Sequence, residues 1–107
     1  MRKLDLRDYQ WTAKVQNPLK GIEEVTLPYK VKDSILNLMF LPDLRLQGAE
    51  LVRQNVLAIK IEQCKDEVLL EEEEYQRVKK AAEAYKAQSR ADVQLIDRIL
   101  NQTLEIT

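Results

Sequence analysis

Apolar and polar residues alternate along two stretches near the start of the chain. The apolar positions are Tyr9, Trp11, Ala13 and Val15, and then Val25, Leu27, Tyr29 and Val31. A period of two with aromatic and β-branched residues is typical of a half-buried strand. Because Asn17, Pro18 and Gly21 lie between the stretches, we expect an antiparallel hairpin. Pro28 falls on the outward side, which indicates an edge strand or a bulge, since proline cannot donate to a ladder.

The next part of the chain has helical spacing. Asp33 or Ser34 can cap a short helix that runs to Leu41 and is ended by Pro42. A second helix is predicted over about 48–64. Its apolar residues occupy more than one face, so it lies either at the centre of a core or against a partner. They are Leu51, Val52, Val56, Leu57, Ile59 and Ile61.

Two further helices are predicted in the last third, over about 72–87 and about 90–101. The first opens on the acidic run 71–74, which suits the positive end of a helix. Ser89, with Asp92 three residues on, resembles a capping box before the second. The inward residues are predicted to be Tyr75, Val78, Ala82 and Tyr85 in the first helix and Val93, Ile96, Ile99 and Leu100 in the second. Because the 86–89 connection is short, we expect the two stripes to face each other.

Together these patterns predict one α+β domain over residues 1–107. An N-terminal antiparallel β-hairpin (1–32) packs on three to four α-helices in the mainly helical remainder (33–107). The segment 68–70 fits either a strand or a helix start, and Leu104 and Ile106 alternate as a short extra strand would. A hydrophobic fraction of 45% and a charged fraction of 33% are typical of a soluble globular domain.

The composition argues against an enzyme. The chain has no histidine, one cysteine and two glycines, so the commonest proton shuttle, thiolate metal sites and glycine-rich phosphate loops are missing. Four consecutive helical glutamates point about 100° apart and cannot close on one ion. Cys64 has no histidine to activate it, so we expect it to pack as a small apolar residue. We therefore predict no catalytic residue, no cofactor and no metal site.

The charges argue against nucleic acid as a partner. A net charge of −1, from 17 basic and 18 acidic residues, gives no global basic field. If the alternation holds, Tyr9 and Trp11 lie on the face opposite Lys14, so aromatic and basic side chains do not combine into a stacking platform; Lys30 and Lys32 are expected on the basic side too.

The start of the chain has no apolar stretch like a signal peptide, and no apolar run approaches the ~20 residues of a membrane span. We expect a cytoplasmic protein that does not enter a membrane.

The segments VLLEEEEYQRVKKAAEAY (68–85) and SRADVQLIDRIL (89–100) resemble the ribbon-helix-helix repressors. In that family a strand precedes two helices, and the strands of two chains pair and enter the DNA major groove. The resemblance implies a DNA-binding transcriptional regulator. The strand positions of the family carry basic or polar residues, whereas here Asp66 and Glu67 precede an apolar Val68–Leu70, and acidic side chains are repelled by phosphate.

The order of hairpin, short capped helix, LLEEEEYQRVKKAAEAY and closing IDRIL resembles small uncharacterised proteins of bacteriophage and prophage genomes. This resemblance implies a virion-assembly or accessory protein, present in the host cytoplasm or the virion. We therefore expect a non-enzymatic, self-associating binding or assembly protein with a protein partner and no small-molecule substrate; the alternative is a regulator of ribbon-helix-helix type. The candidate interface residues are Tyr9, Trp11, Val52, Val56 and Ile59.

Overall fold

Two separate antiparallel sheets and four α-helices form the α+β fold in the computed structural model, which describes residues 1–86 and 89–106. The strands are β1 (Arg2–Asp5), β2 (Tyr9–Asn17), β3 (Gly21–Tyr29) and β4 (Glu67–Leu70). The helices are α1 (Val31–Leu38), α2 (Ala49–Gln63), α3 (Glu72–Ala84) and α4 (Ala91–Asn101), with a 3₁₀ turn at Pro42–Leu44. Within these residues, no helix has both the length and the apolar character needed to cross a membrane.

The predicted hairpin is confirmed. β2 and β3 pair in register from Tyr9 opposite Tyr29 to Asn17 opposite Gly21. Gly21 has φ +81°, a left-handed conformation that glycine adopts without strain as the chain leaves the turn. β3 ends at Tyr29, two residues earlier than predicted, because the chain enters α1 at Val31. Lys32 is therefore helical and does not share the outward face of the strand.

The second sheet was not predicted as such. The 1–32 region holds an extra strand, β1, which pairs with β4 from Arg2 opposite Leu70 to Asp5 opposite Glu67. Leu4, Val68 and Leu70 on its inner face are at most 1% exposed, so the ambiguous 68–70 segment is a strand with a buried face. In place of the expected tail strand, a single bridge joins Glu105 to Arg2.

The core lies between the inner face of the β1–β4 sheet and the four helices. It includes Val31, Ile35 and Met39 from the α1 region, Leu57 and Ile61 from α2, Tyr75 and Val78 from α3, and Leu95 and Ile99 from α4. The predicted 48–64 helix is confirmed, with buried residues on one side and exposed aliphatic residues on the other.

The start of α1 differs from the prediction. Asp33 and Ser34 lie inside the helix, and the cap comes from a residue far away in sequence. The Asp8 Oδ1 atom accepts the Val31 backbone N–H at 3.0 Å, which satisfies one of the unpaired amides of the first turn. The helix ends at Leu38, so Pro42 begins the 3₁₀ turn beyond it.

The α3–α4 pair is confirmed in outline and corrected in detail. Tyr75, Val78 and Ala82 are buried as predicted, whereas the predicted inward Val93 is 60% exposed. The α4 positions that enter the core are Ala91, Leu95, Arg98 and Ile99. Ile99 is buried as predicted, and Ile96 and Leu100 pack against the core, so Val93 is the one wrong position of the predicted α4 stripe. The predicted end of the third helix at residue 87 lies outside the described residues.

Capping also differs between these two helices. A capping box forms at α3, where the Glu71 backbone N–H donates to Glu74 Oε1 at 2.8 Å. At α4 the Ser89 hydroxyl accepts the Ala91 N–H at 3.2 Å, but no capping box forms with Asp92, because that carboxylate accepts two tyrosine hydroxyls instead.

Candidate interaction surfaces

A cluster of tyrosines fixes the base of the hairpin to α4. The Tyr9 and Tyr29 rings are stacked with centroids 4.6 Å apart and planes 8° apart. Tyr29 donates its hydroxyl to Asp92 Oδ1 at 2.6 Å, and Tyr85 donates to Asp92 Oδ2 at 2.9 Å. The Tyr9 hydroxyl donates to the Ala91 carbonyl and accepts the Leu95 N–H at 3.1 Å. We call these four side chains, three tyrosines and one aspartate, the clamp.

The environment of the clamp stabilises the neutral form of its tyrosines. Burial raises the pKa of Tyr29, and donation to the Asp92 carboxylate raises it further. Burial is also the main cause of the raised pKa of Tyr9 and of Tyr85. All three phenols are therefore protonated at neutral pH and keep their hydroxyl hydrogens in these bonds.

A buried arginine supports the clamp from α4. Arg98 is 9% exposed, and its Nη1 donates to the Asp5 carbonyl at 3.2 Å and the Arg7 carbonyl at 2.6 Å. Its guanidinium also lies 5.3 Å from the centre of the Tyr9 ring, within the range of a cation–π contact. Arg98 thus ties the β1–β2 connection to α4. This role could not be predicted from the sequence, because arginine in a helix is usually exposed.

Beyond the clamp the hairpin carries an apolar face that the rest of the described chain does not bury. We call residues 10–28 the arm. Trp11 lies opposite Leu27, and Ala13 opposite Val25, and residues directly opposite in an antiparallel pair share a face. No residue of the arm is buried, and Leu27 is 38% exposed. The arm is thus a two-stranded ribbon that leaves its apolar face open to solvent.

A second open apolar surface lies on α2. Val52, Val56 and Ile59 are 63%, 62% and 45% exposed. Their spacing of four and three residues places them on one face of the helix. We call these three residues the α2 stripe. The other side of the same helix is buried through Gln54, Leu57, Ala58 and Ile61.

The β1–β4 sheet has a third open face, on the side away from the core. Leu69 is 41% exposed and stands opposite Lys3, and Lys3 Nζ lies 2.9 Å from Glu67 Oε2. The C-terminal segment runs beside β1, and the Lys3 N–H donates to the Leu104 carbonyl at 3.4 Å. Leu104 and Ile106 of this segment are exposed apolar residues. β4, the strand that the ribbon-helix-helix resemblance would place in a DNA-binding ribbon with a second chain, is thus paired with β1 of its own chain.

The five candidate interface residues divide into three groups. Tyr9 belongs to the clamp, so its hydroxyl and ring are used within the chain. Trp11 lies on the open face of the arm, and Val52, Val56 and Ile59 form the α2 stripe. The arm and the stripe are on separate elements. The sequence did not indicate Leu27 or Leu69 as surface candidates, because alternation alone does not show which face a neighbour will cover.

Among the described residues, no group of three or more histidine, cysteine, aspartate or glutamate side chains is arranged to hold a metal ion. Cys64 is half-buried and packs against the core. No family model, curated protein or solved structure matches the chain. Function is therefore inferred from the surfaces of this chain itself.

Proposed function

We propose that this protein is a non-enzymatic, self-associating binding protein, of the kind that serves bacteriophages in virion assembly or as an accessory factor. The observation that carries the proposal is the α2 stripe. One apolar side of α2 packs on the core, and its second apolar side faces water. A helix with two apolar sides is typical of one that packs against a neighbour on each of them. Exposed aliphatic residues in a row, rather than singly, mark contact surfaces.

The charges beside the stripe favour a second copy of the chain as its cover. Arg53 Nη1 lies 3.0 Å from Glu50 Oε1, and Lys60 Nζ lies 2.7 Å from Glu74 Oε1. Both basic side chains flanking the stripe are thus neutralised within the chain. Two copies can therefore bring their stripes together in an isologous contact without opposing like charges.

The test is the mass of the protein in solution. We expect the native chain to associate as its concentration rises into the high micromolar range. Val56→Glu places a charge in the centre of the stripe and should return the protein to a monomer. Gln94→Glu is the matched control, since it adds one negative charge at an exposed position of another helix, α4.

Sedimentation velocity and light scattering measure this directly. Because Val56 is 62% exposed, its substitution should leave the fold intact, which circular dichroism checks. A native chain that stays monomeric at every concentration contradicts self-association. Equal loss of association in both variants contradicts the assignment to the stripe.

A further inference from the structure

One edge of the arm lies beside an open groove. β2 pairs with β3 on one side, and its other edge has no strand partner within the described residues. Four consecutive residues of β2, Trp11 to Lys14, line a groove of about 580 Å³ together with Arg90 and Ala91 at the start of α4. Since alternate strand residues point to opposite faces, a lining of consecutive residues means that the groove follows the strand edge.

The two edges of the arm differ in their ability to accept a further strand. The β3 edge contains Pro28, which has no N–H to donate and protects an edge from pairing. The β2 segment Tyr9–Asn17 contains no proline. An unpaired strand edge presents a row of N–H and C=O groups to any extended segment. The β2 edge is therefore the one suited to strand addition.

The charge of the groove selects what can enter it. Lys14 and Arg90 are both exposed on its walls, and no acidic residue lines it within the described chain. Asp92, the nearest acidic residue in sequence to that wall, has both carboxylate oxygens occupied by Tyr29 and Tyr85. Glu24 lies directly opposite Lys14 across the hairpin but does not line the groove, so the charged side chains of the lining are the two cations, and Trp11 and Ala13 are its apolar contacts.

We propose that this groove binds an extended, acidic segment of a partner protein, which adds to the β2 edge as a new strand. Backbone hydrogen bonds to the strand edge would supply affinity, and the two cations would select acidic side chains. A second copy pairing β2 with β2 brings together Lys14 and Arg90 from both chains, so like charges disfavour that occupant. This names a partner class for the proposed binding function and rests on it.

Trp11 provides the readout, because it is the one tryptophan of the 107-residue chain and lines the groove. The probe is a synthetic peptide with blocked ends that copies residues 21–27, GIEEVTL. It carries two glutamates, and the same sequence pairs with β2 within the hairpin. The matched control peptide, GIKKVTL, replaces both glutamates with lysine. Quenching of Trp11 fluorescence by acrylamide, an uncharged quencher, reports cover over the groove.

We expect the acidic peptide to protect Trp11 from acrylamide quenching at low salt, and this protection should fall as salt is added. The basic peptide should give no protection. Lys14→Glu should weaken binding of the acidic peptide about 3- to 10-fold, since it removes one exposed attraction and adds a repulsion. Lys20→Glu makes the same charge change in the turn at the tip of the arm and should change binding less than about 2-fold.

Absence of protection at millimolar peptide, or equal protection by both peptides, overturns the proposal. Protection that rises with protein concentration and without peptide means that a second copy fills the groove, and this also overturns it. The outcome is separate from the test of self-association. If Val56→Glu loses association and no peptide binds, the proposed function stands and the groove proposal fails. If the peptide binds to a chain that stays monomeric, the groove binds the peptide and self-association is contradicted.

Discussion

In both sheets of this protein apolar and polar residues alternate, but the apolar face of one sheet is buried in the core and that of the other is open to solvent. In the β1–β4 sheet, the apolar residues of one face, Leu4, Val68 and Leu70, are buried, with Leu4 at 0% and Val68 at 1% exposure. In the arm, the alternating residues are half-buried or exposed, and none is buried. The helices cover one sheet and leave the other open. A period of two thus determines which side chains share a face, but whether that face becomes core depends on what packs over it.

The two sheets also differ in how they are attached to the rest of the molecule. The β1–β4 sheet is held by apolar contacts with the helices, as part of one hydrophobic cluster. The arm is held at its base by the clamp, through a tyrosine stack and hydrogen bonds to α4. Directional bonds of this kind fix an orientation as well as a position. The arm is therefore mounted at a set angle while its face remains free for contact.

The largest expected effect separates the two sheets directly. Leu4→Ala, in β1, removes a side chain with 0% exposure and should lower the free energy of unfolding by about 2–5 kcal/mol. Leu27→Ala, in the arm, makes the same chemical change at a residue with 38% exposure and should cost less than about 1 kcal/mol. Chemical denaturation of the two variants gives the comparison. Equal losses would mean that the face of the arm is covered in solution.

The clamp gives the next largest effect. Tyr29→Phe removes the hydrogen bond to the Asp92 carboxylate and should lower the free energy of unfolding by about 1–2 kcal/mol. This is a small loss for a hydrogen bond to a charged group, because the site is half-exposed. The loss should be confined to the attachment of the arm. Backbone amides of β2 and β3 should exchange faster with solvent deuterium in the variant, while those of β4 keep their protection. Unchanged exchange in the arm would contradict this role.

The same clamp predicts an alkaline loss of stability. Burial raises the pKa of Tyr29 in the folded protein above the unfolded value of about 10. The folded state therefore holds its proton more tightly, and this contribution is present in full below about pH 10 and is lost as pH rises through the folded pKa. Denaturation of the native chain from pH 8 upward should show a fall above about pH 10. Tyr29→Phe should flatten that fall, with Tyr9 and Tyr85 supplying the remainder. An equally steep fall in the variant would contradict the assignment.

Local sequence patterns predicted most of the helices and the hairpin. The features that the sequence could not show are those formed by contacts between residues far apart in the chain. The hairpin and the 48–64 helix follow from spacing and turn residues close together in the chain. β1 was missed because four residues with one buried face give too short a pattern to recognise. The cap of α1 comes from Asp8, a residue that only folding brings to the helix. Similarly, the α2 stripe was visible as an excess of apolar positions, whereas the clamp depends on residues 63 positions apart, Tyr29 and Asp92.

A small effect checks the corrected position in α4. Val93 is 60% exposed, so Val93→Ala should change the free energy of unfolding by no more than about 0.5 kcal/mol, as is usual for surface positions. Ile99→Ala, in the same helix at 0% exposure, should cost about 2–5 kcal/mol and serves as the reference. A large loss for Val93 would mean that this face of α4 contacts a second chain or a neighbouring segment.

The smallest expected effect concerns DNA. A ribbon-helix-helix regulator reads DNA with the outer face of paired strands, and here the outer face of β4 carries Leu69 and Glu67, with Lys3 drawn into an ion pair with Glu67. Binding through counterion release needs several cations placed against phosphates and gives a steep dependence on salt. We therefore expect no tight duplex binding by the native chain at low or moderate salt, measured by fluorescence anisotropy. Glu67→Lys removes one repulsive charge and frees Lys3, so any gain in weak binding should appear in this variant first. Tight, salt-steep binding by the native chain that is lost on changing Leu69 would instead identify the β1–β4 face, rather than the arm or the α2 stripe, as the working surface of the protein.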